Sequence, residues 1–430
     1  MLSASENQPS LTPFVSSGIL ELEKETPGTR KLKLFSALGS RNYLLYWCGI
    51  LISAIGSWVQ TVAQGWLVFK LTHSSLMLGV VLFLNTIPFT ALSLFAGVVA
   101  DRVDRRKLLL VTQTILAISP FVLGTLVTKG SVKVWHIMAL ASISGCANAF
   151  DIPTRHSSIP LLVKREHLMN AIALQSAAFN SARIIGPALA GVLVDRIGIG
   201  RCFFVNSASF LAVILALMII RFRSTPIERT NVLNEFHQGL MYVWRHDIVR
   251  TLIMMVAVPS IFSMPYMTLM PVFADRILKV GVTGYGMLMS ATGIGALAGA
   301  LTLAFFSKSK RKGLVLSTAY TLLAIMQILF ANSKIFPLSL FFLMGLGFMN
   351  VNYLATTNTL IQTIVPDELR GRVVSAYLFA FQGLLPLGHL QAGAMAKFIG
   401  APGTLTIGGL VCVFSALMVL IRRPEIPRLT

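Results

Sequence analysis

The stretch Gly97-Val-Val-Ala-Asp101-Arg102-Val-Asp104-Arg105-Arg106-Lys107 decides the fold, because this charged segment stands between two long apolar runs. In that setting it must be a short loop at a membrane surface. The basic residues of this loop can be explained simply as markers of the cytoplasmic side, where Lys and Arg accumulate. That explanation leaves Gly97 unaccounted for, and it does not explain why Asp101 precedes the bases. Asp101 and Arg105 are four residues apart, so one helical turn can bring them face to face.

The composition around this loop excludes an ordinary soluble protein, since 55% of the residues are hydrophobic and only 12% are charged. A membrane-spanning helix needs about 20 apolar residues. Strands of a membrane barrel are shorter and alternate in polarity, which these runs do not. We therefore predict an all-α membrane protein with twelve transmembrane helices. The predicted spans are residues 43–69, 75–99, 107–128, 133–154, 168–194, 199–221, 249–274, 283–306, 313–331, 335–363, 371–397 and 403–421.

The distribution of the net charge of +20 predicts the orientation. If the N-terminus is cytoplasmic, 26 of the 36 Lys and Arg residues fall in cytoplasmic tails and loops and 9 fall in outer loops. This asymmetry predicts that both termini are cytoplasmic in a multi-pass protein of the cell inner (cytoplasmic) membrane. Nucleic acid is not expected as a partner, because binding it needs a basic soluble surface.

The longest internal break divides the spans six and six. We predict a cytoplasmic N-terminal tail at 1–40, a six-helix bundle at 41–221, a cytoplasmic linker at 222–248, a second six-helix bundle at 249–423 and a cytoplasmic tail at 424–430. Within the linker, apolar residues recur at helical spacing, which predicts an amphipathic helix on the membrane surface. These residues are Phe236, Leu240, Val243 and Trp244.

The two halves of the chain repeat each other around the fourth and fifth spans. The segment from Asn148 to Glu166 can be laid over Asn350 to Glu368 with a shift of 202 residues and no gap. Two related six-helix halves are a recurring plan of carriers that hold their substrate at the midplane between the halves. Similar loops can also arise from a shared topology alone.

Further segments carry a family resemblance. They are Arg41-Asn-Tyr-Leu-Leu-Tyr46, Gly56-Ser-Trp58-Val-Gln60-Thr61, Gly65-Trp66-Leu-Val and Asp151-Ile-Pro153-Thr-Arg155. Together with the loop at 97–107, they resemble the major facilitator superfamily, and within it the transmembrane secretion effector branch, which includes enterobactin exporters and macrolide efflux pumps. The resemblance covers about residues 40–423 and implies two six-helix bundles. The second half departs from the loop pattern, because 306–312 keeps the bases but lacks the Gly and Asp.

The resemblance implies a conformational latch on the cytoplasmic side. Span 4 runs from outside to inside, so Asp151 reaches the same membrane face as the loop at 97–107. An acid–base–acid set that pairs in the outward-open state and separates in the other is a two-state element. The alternative is that the charges at the end of span 4 only cap that helix. The predicted latch residues are Gly97, Asp101, Arg102, Arg105, Asp151 and Arg155.

Polar residues inside the spans predict a substrate cavity. Arg183 lies near the middle of span 5, where an arginine costs about 2.5–3.5 kcal/mol or more, so it must meet a ligand or a protein partner such as Asn148 or Asn180. A few convergent polar groups near aromatics suit a bulky amphipathic ligand, although amides can also hold helices together. The predicted cavity residues are Gln60, Gln64, Asn148, Arg183, Tyr266, Asn350, Asn352 and Gln382.

Helix bending and proton coupling are predicted at a few further positions. Proline removes a backbone hydrogen bond and glycine admits a neighbour, so span 5 can bend against span 1 or span 8. The predicted bending residues are Gly186, Pro187 and Gly191 in span 5 and Pro386 in span 11. None of the 16 acids lies at the centre of a span, which leaves Asp151 and His389 as proton-coupling candidates. A hydrogen-bonded packing role is the alternative for His389.

These features predict a secondary active exporter of an amphipathic small molecule, a siderophore or a drug, which works by alternating access with a proton as coupling ion. An uptake symporter or lysolipid flippase on the same fold is one alternative, and a membrane scaffold or receptor is another. We expect a monomer in the lipid bilayer, with no enzymatic activity and no cofactor or metal, since no phosphate-binding Gly-rich loop and no His/Cys cluster is present. The cysteines lack metal-ligand spacing and are expected to be buried; they are Cys48, Cys146, Cys202 and Cys412.

Overall fold

The computed structural model describes residues 36–220, 232–305 and 311–429, and for residues 94, 98, 100, 101 and 232–236 the backbone alone. Every regular element in these ranges is helical. Most of the predicted N-terminal tail, the first part of the predicted linker and most of the basic segment at 306–312 therefore lie outside the described residues.

Six long helices form the first half. They are α1 (Arg41–Thr72), α2 (Ser75–Arg102), α3 (Arg105–Thr128), α4 (Val134–Ser158), α5 (Leu168–Ile197) and α6 (Ile199–Ile219). The shortest has 21 residues, so each reaches the thickness of a bilayer core of about 30 Å. Side-chain caps keep the junctions short: Ser74 caps α2, and Asp104 Oδ1 accepts from the backbone N–H groups of Arg106 and Lys107 at 2.9 and 3.2 Å.

The second half begins with a short helix and repeats the six crossings with interruptions. Its helices are α7 (Val232–Arg245), α8 (Asp247–Phe262), α9 (Tyr266–Val272), α10 (Gly281–Phe305), α11 (Lys312–Asn332), α12 (Phe336–Ile364), α13 (Asp367–Leu378) and α14 (Leu385–Arg422). A π-helical turn at Phe273–Ile277 extends α9, and another at Phe379–Gly383 joins α13 to α14. Gly400, with φ at +75°, breaks α14 into two arms, 385–399 and 401–422.

The prediction of twelve transmembrane helices in two bundles is confirmed. Ten helical segments of the described chain are long and apolar enough to cross a membrane. One of them, Asp367–Arg422, makes two crossings because the chain turns at Gly400. The remaining crossing is α4, which has 25 residues and packs along α2 and α3.

Alternating crossings place the helix junctions at two faces. We call the face with both ends of the described chain the terminal face; it also carries junctions 102–105, 158–168, 245–247 and 364–367. The opposite face carries junctions 72–75, 128–134, 197–199, 277–281 and 332–336. At the terminal face α7 packs closely against α13. The contact lies at Gly239, where an added Cβ would be 2.4 Å from the carbonyl oxygen of Arg372. Trp244 on α7 stays exposed.

The expected burial of the cysteines was wrong for two of the four. Cys202 and Cys412 are buried, whereas Cys48 and Cys146 are exposed. Both exposed thiols lie on outward faces of α1 and α4. A membrane helix is apolar on its lipid side as well as on its protein side, so hydrophobicity alone does not separate the two.

Candidate functional site: a cavity between the two halves

A cavity of about 320 Å³ lies between the two halves, within the size range of small-molecule sites. The first half contributes amides and hydroxyls, from Ser57, Gln60, Thr61, Gln64, Asn85, Ser144, Asn148 and Asn206, and also apolar side chains, from Val68, Leu78, Val81, Leu82, Leu116 and Phe210. The second half contributes the apolar side chains of Met267, Pro271 and Met289 and the hydrogen-bonding side chains of Thr268, Tyr285 and His389. Hydrogen-bonding groups and polarizable apolar surface thus line one cavity, which suits an amphipathic ligand.

The cavity is elongated along the membrane normal. Its lining extends from Ser57 to Val68 on α1, a separation of eleven residue steps or about 16 Å at the helical rise. Arg155 lies near the terminal-face end of α4, whereas Tyr285 lies near the opposite-face end of α10. Among the described lining residues, Arg155 is the single side chain with a full charge.

An amide network holds the polar side chains that the first half contributes to the cavity in place. Asn206 Nδ2 on α6 donates to Gln60 Oε1 on α1, and Gln60 Nε2 lies 3.4 Å from Gln64 Oε1. Gly56 makes room for this contact, because a Cβ there would lie 2.6 Å from Asn206 Oδ1. The sequence prediction omitted Asn206 and Asn85, although both are polar residues within spans and the same criterion identifies them.

A buried charge cluster supports the terminal-face end of the cavity. Asp151 on α4 is 0% exposed, and its Oδ1 accepts from Thr112 Oγ1 at 2.9 Å and from Gln113 Nε2 at 2.7 Å. Its Oδ2 pairs with Nε of Arg155, one helical turn further along α4. The buried hydroxyl of Tyr46 lies beside this ion pair. One carboxylate oxygen is thus hydrogen-bonded and the other is ion-paired, and Arg155, with its side chain 20% exposed, connects the cluster to the cavity.

The loop at 97–107 is tied to the helices beside it. Arg105 is buried and its Nη1 donates to the carbonyl oxygen of Ser157 at 3.1 Å. Arg106 donates to two carbonyl groups at the end of α6, at 2.6 and 2.7 Å. The side chain of Asp101 lies outside the described residues, so its pairing with Arg105 stays a prediction. A Cβ placed on Gly97 would meet none of the described atoms within 4 Å, so no described neighbour packs closely against this glycine in this structure.

The structure brings some of the predicted cavity residues together and separates others. Gln60, Gln64 and Asn148 line the cavity. Arg183 on α5 instead lies close to Tyr266, across the interface between the halves, so that the guanidinium and the hydroxyl interact. This contact meets the need of a mid-membrane arginine for a partner only in part, because its buried Nε has no hydrogen-bond partner among the described residues.

The other predicted cavity residues of the second half lie away from this lining. Asn350 and Asn352 are buried on α12, and Asn352 Nδ2 donates to the carbonyl oxygen of Phe348 at 2.8 Å. Gln382 is exposed on the π-helical turn that precedes α14. His389, a predicted coupling residue, does line the cavity, and its Nδ1 lies 2.8 Å from Thr268 Oγ1.

Glycines allow the halves to meet closely where α5 crosses α10. A Cβ on Gly286 would lie 2.3 Å from the carbonyl oxygen of Pro187, and one on Gly191 would lie 2.9 Å from the Cα of Thr283. Gly186 faces Trp58 of α1 in the same way, at 2.4 Å. The predicted bending residues of span 5 thus contact spans 1 and 8, while α5 stays one continuous helix through Pro187.

A second close crossing joins α2 to the first arm of α14. A Cβ on Gly79 would lie 2.5 Å from the carbonyl oxygen of His389 and 3.0 Å from the Cα of Gly393. Pro386, a predicted bending residue, follows the π-helical turn at Phe379–Gly383, where the helix is irregular. Both crossings lie toward the opposite face.

Polar contacts close the opposite face further. Lys70 Nζ lies 2.7 Å from Asp275 Oδ1, and Arg276 Nη2 donates to the carbonyl oxygen of His73 at 2.9 Å. We call Lys70, His73, Asp275 and Arg276 the opposite-face clasp. Beneath it, Trp66 of the first half stacks on Tyr285 of the second at 6.2 Å between ring centroids. The clasp and the helix crossings close the cavity toward the opposite face in this structure.

Reversing one charge of the clasp should open the opposite face. Lys70→Asp places two carboxylates together, and the double variant Lys70→Asp/Asp275→Lys restores the pair. Because the side chains of Lys70 and Asp275 are 43% and 24% exposed, we expect Lys70→Asp to lower the free energy of unfolding by no more than about 1 kcal/mol. The measurement is labelling of Gln64→Cys, in a background without other cysteines, by an impermeant maleimide from the opposite face. Labelling should rise in Lys70→Asp and return to the parent level in the double variant. Equal labelling of the parent, the single variant and the double variant would show that the clasp is not a gate.

Twelve crossing helices in two halves around a central cavity define a carrier of the major facilitator type. Residues 33–428 match the model of the transmembrane secretion effector family, and the chain belongs to this family of transporters. The family resemblance read from the sequence is thereby confirmed, and the family is one of transporters rather than enzymes.

Relatives extend over almost the whole chain. It is 27% identical over 390 residues to the multidrug efflux pump Tap of Mycolicibacterium fortuitum, which covers 86% of this chain and 95% of that protein. It is 25% identical over 374 residues to the staphyloferrin A transporter of Staphylococcus aureus, covering 84% and 91%. A solved D-xylose-proton symporter superposes with a TM-score of 0.71 at 12% identity, covering 92% of this chain and all of that one, which shows the fold.

Proposed function

We propose that the protein exports an amphipathic small molecule, a siderophore or a drug, across the cell inner membrane by alternating access. The observation that carries this proposal is the cavity between the halves, whose lining combines amides and hydroxyls with aliphatic, methionine and ring-bearing side chains. Such a surface accepts bulky ligands with a polar and an apolar side. A multidrug efflux pump and a siderophore transporter among the relatives support the same substrate range.

The terminal face is cytoplasmic in this proposal. The excess of Lys and Arg in its tails and loops, 26 against 9 at the opposite face, supports that orientation. The structure is then the inward-facing state, in which a substrate enters from the cytoplasm. The latch of Gly97, Asp101 and Arg105 with Asp151 acts in the outward-facing state, and the empty space around Gly97 here is consistent with a contact that forms only there.

Proton coupling uses Asp151 and His389 in this proposal. His389 lines the cavity and bonds to Thr268, and Asp151 adjoins the cavity through Arg155. A proton bound or released beside the cavity changes the charge next to the substrate, and this links a proton and a substrate in one carrier. The hydroxyl of Tyr46 is the further titratable group beside Asp151.

Everted membrane vesicles, whose cytoplasmic face points outward, test the proposal. A pH gradient with an acidic vesicle interior is imposed. A macrolide, a catecholate siderophore and a lysolipid are then added to the outside medium in turn. We expect uphill accumulation of the macrolide or the siderophore, lost when the gradient is collapsed and absent from vesicles without the protein. Accumulation of the lysolipid alone would indicate a flippase, and energised uptake only in right-side-out vesicles an importer. Failure of all three in both orientations would contradict transport.

A further inference from the structure

We infer that Arg155 is an anion-binding residue of the cavity and that the transported molecule is an amphipathic carboxylate. Its acid group binds the guanidinium of Arg155 and its apolar body extends toward Tyr285 at the other end. The inference rests on the proposed function and specifies its substrate class.

The charge of the lining favours an anion over a cation. Among the described residues that line the cavity, Arg155 alone carries a full charge, and its polar neighbours are amides, hydroxyls and the imidazole of His389. A cationic ligand would need an exposed carboxylate. Asp151, the acid paired with Arg155, is 0% exposed; its Oδ1 accepts from Thr112 and Gln113, and its Oδ2 is held in the ion pair with Arg155.

The guanidinium is presented for binding by its contacts within α4. Its Nε is engaged by Oδ2 of Asp151, and none of the described residues accepts a hydrogen bond from its two terminal nitrogens. Two adjacent N–H groups of a guanidinium match the two oxygens of a carboxylate. Because Asp151 is itself fixed by Thr112 and Gln113, it holds Arg155 in a constant orientation.

The long axis of the cavity separates the polar and apolar parts of such a ligand. Arg155 lies near the terminal-face end of α4, whereas Met289 and Tyr285 lie near the opposite-face end of α10. Along the axis of about 16 Å, an acid group at Arg155 leaves the apolar body against the methionines and the ring. The basic residues of the terminal-face loops also attract anions to this entrance.

A purely structural ion pair is the competing explanation. Arg155 would then only neutralise Asp151, and its loss would weaken every ligand alike through a disturbed fold. An anion-binding role predicts a loss that depends on the charge of the ligand. Ligands with one apolar body and different head groups separate these two explanations.

The test uses 1-pyrenebutyric acid, 1-pyrenebutanol and 1-pyrenebutylamine, which share one apolar body. Binding to purified protein in phosphatidylcholine nanodiscs is followed by energy transfer to pyrene from Trp66, which stacks on the lining residue Tyr285. We expect the acid to bind roughly ten-fold more tightly than the alcohol, as one charge-assisted contact implies, and the amine to bind most weakly. In Arg155→Gln the affinity for the acid should fall to that for the alcohol. The affinity for the alcohol should stay within about two-fold of its wild-type value.

Arg155→Gln leaves Asp151 buried without its cation, so Asp151→Asn/Arg155→Gln is the matched variant with a neutral pair. It should show the same selective loss for the acid, and Arg155→Lys should keep part of the preference because the charge remains. Equal binding of the acid and the alcohol by the wild-type protein, or a preference that survives in the double variant, would overturn the inference alone. Failure of all three probes to bind would overturn the amphipathic cavity and the inference with it.

Discussion

Gly286→Val is expected to depopulate the conformation seen here and to slow transport strongly. The first added carbon would lie 2.3 Å from the carbonyl oxygen of Pro187 and 3.1 Å from the Cα of Gly191, both in the other half of the molecule. Overpacking of this kind costs about 1–3 kcal/mol, which lowers the population of the closed state by about 5- to 150-fold. Each half can still fold, because the clash lies between the halves.

Labelling of Gln64→Cys measures the shift, since Gln64 lines the cavity. An impermeant maleimide should reach it from the opposite face in Gly286→Val and hardly at all in the parent. Gly403→Val is the matched control, because a Cβ there meets its nearest neighbour, Ile399 Cβ, at an ordinary 3.5 Å within one half. Added to Gly286→Val, Gly97→Val should lower this labelling again, because Gly97 has no close neighbour here and its contact is proposed to form in the other state. Normal transport and labelling in Gly286→Val would contradict this account of the gate.

Asp151→Ala is expected to be the most destabilising single change in the buried charge cluster. It leaves Arg155 without its counter-charge and removes the acceptor for Thr112 and Gln113. Removing one partner of a buried ion pair costs roughly 3–5 kcal/mol, and the partial exposure of Arg155 places the effect at the lower end of that range.

Thermal unfolding in detergent, with Asp151→Asn as the matched variant, measures this effect. Asparagine keeps the volume and one oxygen for Thr112 and Gln113, so its midpoint should fall clearly less than that of Asp151→Ala. If both variants unfolded at the temperature of the parent protein, the cluster would contribute nothing to stability and the argument for a fixed Arg155 would fail.

Hydropathy predicted the spans well because the physical constraint is simple. Residues inside a bilayer must be apolar and helical, so a span ends where charge or a helix breaker appears. The predicted span 335–363 is the helix Phe336–Ile364, and the predicted break between 397 and 403 contains Gly400. The π-helical turn at Phe379–Gly383 was not predicted, because its residues are compatible with an ordinary helix and only its packing sets it apart.

The candidate site could be predicted only in part. A polar residue within a span must meet a partner, but its identity does not say whether that partner is a ligand or a distant side chain. Gln60 lines the cavity, whereas Arg183 meets Tyr266 of the other half, a contact that depends on the fold as a whole. The internal repeat aligns Asn148 with Asn350, yet only Asn148 lines this cavity, because the two halves pack differently around it.

The methionines that line the cavity gave no signal in the sequence. Met267 and Met289 are apolar residues within spans, as are most of their neighbours. Nor does the sequence say where glycines meet, since Gly286 and Gly97 are alike until their surroundings are known. One is enclosed by the other half and the other is surrounded by open space. This contrast is what supports a two-state element in which one face closes as the other opens.

Distances across both faces test the central claim of alternating access most directly. Spin labels at Lys133 and Lys334, exposed residues of different halves at the opposite face, report one gate. Labels at Lys164 and Glu368, the equivalent pair at the terminal face, report the other. In reconstituted protein, each pair should show two distance populations, and a change of pH or the addition of a bound probe should lengthen one distance while it shortens the other. A single unchanging distance in either pair, or distances that lengthen together, would contradict alternating access.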